Sequence, residues 1–165
     1  AFLGFVYVPV MLSFIWQTRM LPIEGESTSL IYFLIFICSW GCDTCAYAVG
    51  MLIGKHKLAP RVSPHKTVEG SVGGFIGSVA GMLIFHYAAR AAVHLDIGVL
   101  TAVLLGLAGS LLGQLGDLSF SVIKREFGIK DYGRLFLEHG GVLDRFDSVL
   151  FVAPAYWLMF TFIFN

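Results

Sequence analysis

Long apolar segments alternate with shorter polar ones along the whole chain. Five segments are apolar enough to form helices in a bilayer: 2–18, 29–53, 71–89, 97–120 and 149–164. Crossing a bilayer takes about 20 mostly apolar residues, and the first and last segments are short by this measure. The pattern predicts an all-α integral membrane protein, a polytopic bundle of about five transmembrane helices forming a single domain over residues 1–165.

The composition argues against a soluble fold. Hydrophobic residues make up 57% of the chain and charged residues 13%, with a mean hydropathy of +0.80, whereas soluble domains carry about 25% charged residues. The formal net charge is zero, which predicts no nucleic-acid partner. The chain starts without a methionine or a basic segment typical of a signal peptide. We interpret it as a processed chain or as the carboxy-terminal portion of a longer one.

Basic residues are unevenly distributed between the predicted loops. Nine of the 11 lysines and arginines lie in two segments, 54–70 and 121–148, which alternating spans place on one side of the membrane. The opposite side keeps Arg19 and Arg90. Because cytoplasmic loops of membrane proteins are enriched in Lys and Arg, we expect both segments and the amino terminus to face the cytoplasm.

Glycines recur at helical spacing in two of the predicted spans. Such stripes let helix backbones approach closely in membranes. We interpret them as packing surfaces, and the alternative is that they admit a lipid head group. The third span carries Gly70, Gly73, Gly74, Gly77 and Gly81, and the fourth carries Gly106, Gly109, Gly113 and Gly116.

Asp117 is an acidic residue near the end of the fourth predicted span, in the segment GQLGDLSFSVIKREFG. An ionisable residue at this depth is costly and marks a functional site by default. If the helix continues into the loop, Ser121, Lys124 and Arg125 share the face of Asp117. The alternative is a helix end whose basic side chains extend to the interface and pair with Asp117.

A second charged motif, EHGGVLDRFDS, precedes the last predicted span. Asp144 and Asp147 lie three residues apart, so on a helical turn both carboxylates point the same way. Magnesium suits such ligands, because it takes few protein oxygens and completes its shell with water and substrate phosphates. Gly140 and Gly141 permit a tight turn with exposed amides that favour an anion. His139 is a candidate hydrogen-bond donor to a phosphate or a general acid. The alternative is a polar helix cap.

Two further groups lie near the same predicted side. Asp43 lies in the second half of the second span, and Lys66 precedes a glycine-rich helix start at which Thr67 or Ser71 can act as the cap. A helix amino terminus with a nearby lysine can hold a phosphate, although a positive-inside loop is the simpler reading. Three cysteines, at positions 38, 42 and 45, cannot close a tetrahedral zinc site unaided, and we interpret them as small packing residues.

These four groups all fall at the cytoplasmic ends of predicted spans. Carboxylates for a metal and cations for phosphate, placed next to lipid, predict phosphoryl or nucleotidyl transfer to a membrane-borne substrate. A transporter or channel is the rival of a different class, in which Asp43 and Asp117 line an ion path. Such a protein is expected to spread its charges through the depth of the bilayer.

The segment SVIKREFGIKDYGRLFLEHGGVLDRFDS resembles the signature of the phosphatidate cytidylyltransferase family. The segments LGDL, SPHKTVEG and DTCAYAVGMLIGK also resemble blocks of that family, in the same order. One departure is Leu137-Glu138, where the family usually has Pro-Gly. Members tend to have more than five spans, so the resemblance implies the carboxy-terminal part of such an enzyme. The matching positions are Ser121, Lys124, Arg125, Lys130, Asp131, His139, Gly140, Gly141, Asp144, Arg145 and Asp147.

The resemblance implies transfer of CMP from CTP to phosphatidic acid, giving CDP-diacylglycerol and pyrophosphate. It further implies a magnesium cofactor, with a second metal or a monovalent cation as an open question. The expected partners are CTP, phosphatidic acid, membrane lipids and a second copy in a homodimer. The expected location is a bacterial-type inner or plasma membrane, with the active site facing the cytoplasm.

The resemblance also implies roles for individual residues. Asp117 and Asp144 hold magnesium, with Asp147 as a further ligand or close neighbour. Ser121 and His139 orient phosphate oxygens, and Asp131 holds Lys130 or Arg134. The residues expected to bind the triphosphate or the lipid phosphate are Lys66, Lys124, Arg125, Lys130, Gly140, Gly141 and Arg145.

The nearest rival is another CTP-dependent membrane enzyme, such as a polyprenol or phytol kinase. That reaction phosphorylates an alcohol and therefore needs a base for the hydroxyl proton. CDP-alcohol phosphotransferases fit less well, because their D-G-x-x-A-R block does not occur in this sequence.

Overall fold

Helices form at all five predicted positions. The computed structural model describes residues 2–21, 30–129 and 143–164, and the statements below concern these residues. The fold is all-α apart from one small hairpin, which confirms the predicted class. The helices are α1 (Phe2–Arg19), α2 (Phe33–Ile53), α3 (Val68–Val93), α4 (Val99–Glu126) and α5 (Leu143–Phe164).

Three of the helices, α2, α3 and α4, are long and apolar enough to cross a membrane. That α1 and α5 also cross it stays a prediction. With a rise of 1.5 Å per residue, α4 is about 42 Å long, whereas the hydrocarbon core of a bilayer is about 30 Å thick. One end of α4 therefore extends beyond the hydrocarbon when the helix spans it.

Two segments that were expected to be loops are helical. Helix α4 continues six residues past the predicted end at Phe120, and α5 begins at Leu143, before the predicted start at Val149. Asp117, Ser121, Lys124 and Arg125 therefore lie on one continuous helix, which was the condition for their sharing a face. Asp144 and Asp147 lie in the first turns of α5.

A β-hairpin replaces much of the loop predicted between the second and third spans. Strands β1 (Lys57–Ala59) and β2 (Ser63–Thr67) pair in antiparallel fashion, with Lys57 opposite Thr67. The turn is closed by a hydrogen bond from the Val62 N–H to the Ala59 carbonyl at 3.2 Å, with Pro60 at the second position, where its fixed φ fits. Ser63 and Pro64 lie in β2 and are extended, and a two-stranded sheet tolerates proline because its edges are open.

The glycine stripes pack against neighbouring helices, which confirms the packing interpretation. A Cβ on Gly74 of α3 would lie 2.9 Å from the Cys42 Sγ of α2, and one on Gly106 of α4 would lie 2.8 Å from the Val79 Cα of α3. On the other side of α4, a Cβ on Gly116 would lie 2.8 Å from the ring of Phe151 in α5. A side chain at these positions would push the helices apart.

The core lies where α2, α4 and α5 meet. Tyr156 of α5 is fully buried, and its hydroxyl donates a hydrogen bond to the Leu105 carbonyl of α4 at 2.7 Å. Helix α1 packs outside α5, with the rings of Phe14 and Trp157 5.3 Å apart.

The two basic segments meet at one end of the bundle. The Arg125 Nε, near the end of α4, donates to the Val62 carbonyl of the hairpin at 3.2 Å. At the other end, Arg90 lies 3.5 Å from Asp96. This agrees with the predicted sidedness, whereas the assignment of the hairpin end to the cytoplasm stays a prediction.

Replacing Gly106 with Ala tests the close helix approach. We expect Gly106→Ala to lower the thermal unfolding temperature in detergent, because overpacking against the Val79 backbone costs about 1–3 kcal/mol. Gly41→Ala is the matched control, since a Cβ there meets nothing within 4 Å and alanine favours helix. Equal unfolding temperatures for the two variants would contradict the packing role of the stripe.

Candidate active site

A cavity of about 400 Å³ lies between the hairpin and helices α2, α3 and α4. Three residues singled out from distant parts of the sequence, Asp43, Lys66 and Asp117, line it together. Tyr47 and Leu58 contribute apolar surface to the same cavity. A mixed polar and apolar lining next to a membrane bundle suits a ligand that carries both charge and apolar groups.

Lys66 and Asp117 form an ion pair in this cavity. The Lys66 Nζ lies 2.5 Å from the Asp117 Oδ2, and the two side chains are 24% and 27% exposed. Strand β2 carries Lys66, and the next residue, Thr67, caps α3 by accepting a hydrogen bond from the Gly70 N–H at 3.1 Å. The cap confirms one of the two predicted capping residues. It also fixes where the hairpin ends and the helix begins.

A group of carboxylates lies around this pair. Asp43 of α2 and Asp147 of α5 each lie close enough to Asp117 to interact with its charge. The Asp43 Oδ2 accepts a hydrogen bond from the Ser148 hydroxyl at 3.1 Å, while the Asp147 Oδ1 accepts one from the Ser148 N–H at 2.8 Å. Like charges in one region are unfavourable without a compensating cation, and Lys66 supplies one such cation here.

A second ion pair lies on the same side of α4. The Lys124 Nζ is 2.9 Å from the Asp144 Oδ1, and the two side chains are only 12% and 10% exposed. Between the two pairs, the Ser121 hydroxyl donates to the Asp117 Oδ1 at 3.5 Å. One face of α4 therefore presents a carboxylate, a hydroxyl and a cation in the predicted order.

Gln114 ties three helices together beside Asp117. Its Nε2 donates to the Ser110 hydroxyl at 3.1 Å and to the Ser71 carbonyl of α3 at 3.2 Å, and its Oε1 accepts from the Ser71 hydroxyl. The Nε2 also approaches the Cys42 Sγ of α2 at 3.6 Å. The sequence interpretation missed Gln114. Its signal was a polar amide three residues before Asp117 in an apolar span, a spacing that places both on one face.

The two arginines predicted to bind phosphate are exposed. Arg125 reaches the hairpin turn at Val62. The backbone carbonyl of Arg145 accepts a hydrogen bond from the Trp40 indole at 3.3 Å. That these side chains bind substrate stays a prediction.

Several predicted site residues lie outside the described part of the chain, and their roles stay predictions. They are Lys130, Asp131, His139, Gly140 and Gly141, together with the departure at Leu137-Glu138.

The cysteines take part in helix packing. Cys38 shares a hydrogen bond with the Ser78 hydroxyl, 2.8 Å from its Sγ, and Cys42 shares one with the Ser110 hydroxyl at 3.0 Å. Both thiols are buried, and all three cysteines are free.

The donor chemistry of the cavity fits a hard divalent cation. Within the described residues, no three His, Cys, Asp or Glu side chains converge as a metal cluster. These residues therefore do not form a complete coordination shell by themselves. Magnesium commonly takes one or two carboxylates and completes its shell with water and phosphate oxygens. The carboxylates around Asp117 match that requirement.

A sequence model of the cytidylyltransferase family matches residues 1–163. The chain belongs to the cytidylyltransferase family. This membership accounts for the order of the motifs, and the cavity is formed by residues from several of them.

Curated relatives named phosphatidate cytidylyltransferase share 43–45% identity with this family member. They come from Staphylococcus saprophyticus (43% over 152 residues), Staphylococcus epidermidis (45% over 148) and Staphylococcus aureus (45% over 150). The alignments cover 90–92% of this chain but 53–55% of the relatives. The chain therefore spans about half the length of the curated relatives it matches.

A double-mutant cycle tests whether the Lys124–Asp144 ion pair stabilises the protein. We expect Lys124→Met and Asp144→Asn each to destabilise the protein, because each leaves a nearly buried charge without this partner. The double variant should lose less than the sum of the two, with a coupling of about 0.5–3 kcal/mol, measured by unfolding in detergent. As a control, Lys57→Met, on the exposed face of β1, should show no coupling to Asp144→Asn. Additive losses at Lys124 and Asp144 would contradict the pair.

Proposed function

We propose that this chain forms the catalytic portion of an enzyme that transfers CMP from CTP to phosphatidic acid. The observation that carries the proposal is the cavity in which Lys66 is paired with Asp117 at one end of an apolar helix bundle. Family membership supports it, because the curated relatives are named for this activity. The cavity is lined by both polar and apolar groups, as a nucleotide and a lipid require.

In the proposed reaction, an oxygen of the lipid phosphate forms a bond to the α-phosphorus of CTP. The bond from that phosphorus to the bridging oxygen breaks, and pyrophosphate leaves with the electron pair. The attacking phosphate is already anionic, so the reaction needs no strong general base. Rate enhancement then comes from positioning and from stabilising charge on the phosphates.

The lysines of the two ion pairs would neutralise phosphate charge. Lys66 points into the cavity from β2, and Lys124 lies one turn beyond Ser121 on α4. Their ammonium groups are held by carboxylates at positions where phosphate oxygens would compete for them. Ser121 would donate its hydroxyl to a phosphate oxygen.

The carboxylates of Asp117 and Asp144 would hold magnesium, with Asp147 as a further ligand or close neighbour. When bound, the metal would offset negative charge on the triphosphate. Ser148 keeps the Asp43 carboxylate in place through its hydroxyl. Gln114 holds α4 against α3 next to Asp117 through its hydrogen bond to the Ser71 carbonyl.

The proposed assembly is a homodimer in the membrane, with CTP reaching the cavity from the cytoplasm. The glycine stripes do not support the dimer, because contacts within the chain already occupy them. The homodimer is supported by the family resemblance. The cytoplasmic orientation is supported by the basic residues that gather at the hairpin end.

The activity is tested with labelled CTP and purified full-length protein in detergent. We expect labelled CMP to be transferred to phosphatidic acid and pyrophosphate to be released, with no phosphorylation of dolichol. Asp117→Asn and Asp144→Asn should each lower the rate by about 100-fold or more, since each removes a carboxylate proposed to hold the magnesium that would offset charge on the phosphates. Asp96→Asn is the matched control at the opposite end of the bundle and should keep the parent rate.

Two results would count against this proposal. Phosphorylation of dolichol without transfer to phosphatidic acid would favour the kinase reading. Near-normal activity of Asp117→Asn at low magnesium would remove the metal assignment.

The orientation is tested by labelling added thiols in intact cells. Arg61→Cys at the hairpin turn should be protected from a membrane-impermeant maleimide and react only after permeabilisation. Arg90→Cys at the opposite end should react in intact cells, and the parent protein sets the background. The reverse pattern would invert the topology.

A further inference from the structure

Glu69 lies outside the cavity but is bonded to the segment that leads into the hairpin. It is on the first turn of α3, two residues after the capping Thr67. Its carboxylate accepts hydrogen bonds from the backbone N–H of Lys55 at 3.2 Å and from that of His56 at 3.2 and 3.3 Å. The His56 Nδ1 lies 2.6 Å from the Glu69 Oε1. One side chain thus binds two consecutive amides and an imidazole.

These bonds close the base of the hairpin. Lys55 and His56 precede β1, whereas Glu69 follows β2, so the carboxylate joins the two ends of the segment. Beside it, the Val68 N–H donates to the His56 carbonyl at 2.9 Å. A two-stranded hairpin is marginally stable by itself, and its strands here have three and five residues. The hairpin therefore depends on contacts at its base and, through Arg125, at its turn.

Lys66 is carried between these two attachment points. Its ammonium group pairs with Asp117 because β2 lines the cavity at Lys66. A lysine side chain is long and flexible, so the backbone of β2 must be held for the ion pair to persist. Misplacement of a binding group by about 1 Å can cost about 100-fold in rate.

We propose that Glu69 is a positioning residue that holds the hairpin base so that Lys66 is presented to Asp117 and to phosphate. The clamping itself rests on the contacts just described. Its consequence for catalysis rests on the proposed function. Glu69 acts through Lys66 and does not touch the substrate, since its carboxylate is turned to the three donors outside the cavity.

A simpler role for Glu69 is a favourable charge near the amino terminus of α3. The two roles predict different behaviour for a Glu69→Gln variant. Glutamine loses the charge but keeps an oxygen for the backbone amides, and its amide N–H can donate to the His56 Nδ1. If Glu69 clamps the hairpin, Glu69→Gln preserves function and Glu69→Ala does not. If only the charge matters, the two variants behave alike.

The first measurement is hydrogen exchange in the full-length protein in detergent, which does not depend on activity. We expect the amides of residues 55–67 to exchange at least about tenfold faster in Glu69→Ala than in the parent, with Glu69→Gln close to the parent. Glu126→Ala, an exposed acid at the end of α4, is the control and should leave these rates unchanged. Unchanged exchange in Glu69→Ala would overturn the clamp.

The second measurement tests action through Lys66. Glu69→Ala should lower kcat/KM for CTP by about tenfold or more, with Glu69→Gln restoring most of it. In a Lys66→Met background the same Glu69→Ala change should cost less than about twofold, because the group it positions is already absent. Equal losses in both backgrounds, or a glutamine variant as poor as alanine, would overturn the proposal.

The two proposals fail in different ways. If the parent protein transfers no CMP from CTP, the proposed function fails, and the exchange rates still decide whether Glu69 holds the hairpin. If the parent is active and Glu69→Ala changes neither exchange nor kcat/KM, the proposed function survives and the positioning role does not. His56→Ala removes only the imidazole contact, so its effect on exchange should be smaller than that of Glu69→Ala.

Discussion

A carboxylate at the edge of a hydrocarbon layer needs a partner, and Asp117 finds one in Lys66. This requirement brings a polar hairpin against the end of an apolar bundle, because the cation comes from β2 and the carboxylate from α4. The end of the hairpin is fixed by a second contact. Thr67 caps α3 directly after Lys66, so the strand cannot slide without breaking the helix start.

The close approach of the helices makes this pairing possible. At Gly70, a Cβ would lie 2.6 Å from the Ala46 carbonyl of α2, and the same residue lines the cavity. Small residues therefore set the distance between α2, which carries Asp43, and α3, which carries Ser71. Gln114 adds hydrogen bonds between α3 and α4 at the same level. Packing and site geometry are in this way determined by shared residues.

Much of the architecture could be predicted from the sequence. Apolar length located the helices, and the spacing of Asp117, Ser121 and Lys124 correctly placed them on one face of α4. The hairpin was missed because its strands are short, contain proline and basic residues, and lack a clear alternating pattern. The partners of Asp117 and Asp144 were missed in part because they lie on other elements, and residue spacing shows only which residues share a face of one helix. It does not show what approaches that face from another element. Ser148 and Glu69 act through hydrogen bonds to residues distant in the chain, which the local sequence does not indicate.

The pairing of lysines with carboxylates has a consequence for which ligands the cavity and the separate Lys124–Asp144 pair can accept. A bare anion that binds Lys66 or Lys124 must compete with Asp117 or Asp144, and it leaves a carboxylate uncompensated in a poorly solvated place. An anion that arrives together with a cation can exchange partners instead, so that no charge is left alone. The arrangement of the two ion pairs is therefore better matched to an anion that arrives with its own counterion than to a bare anion.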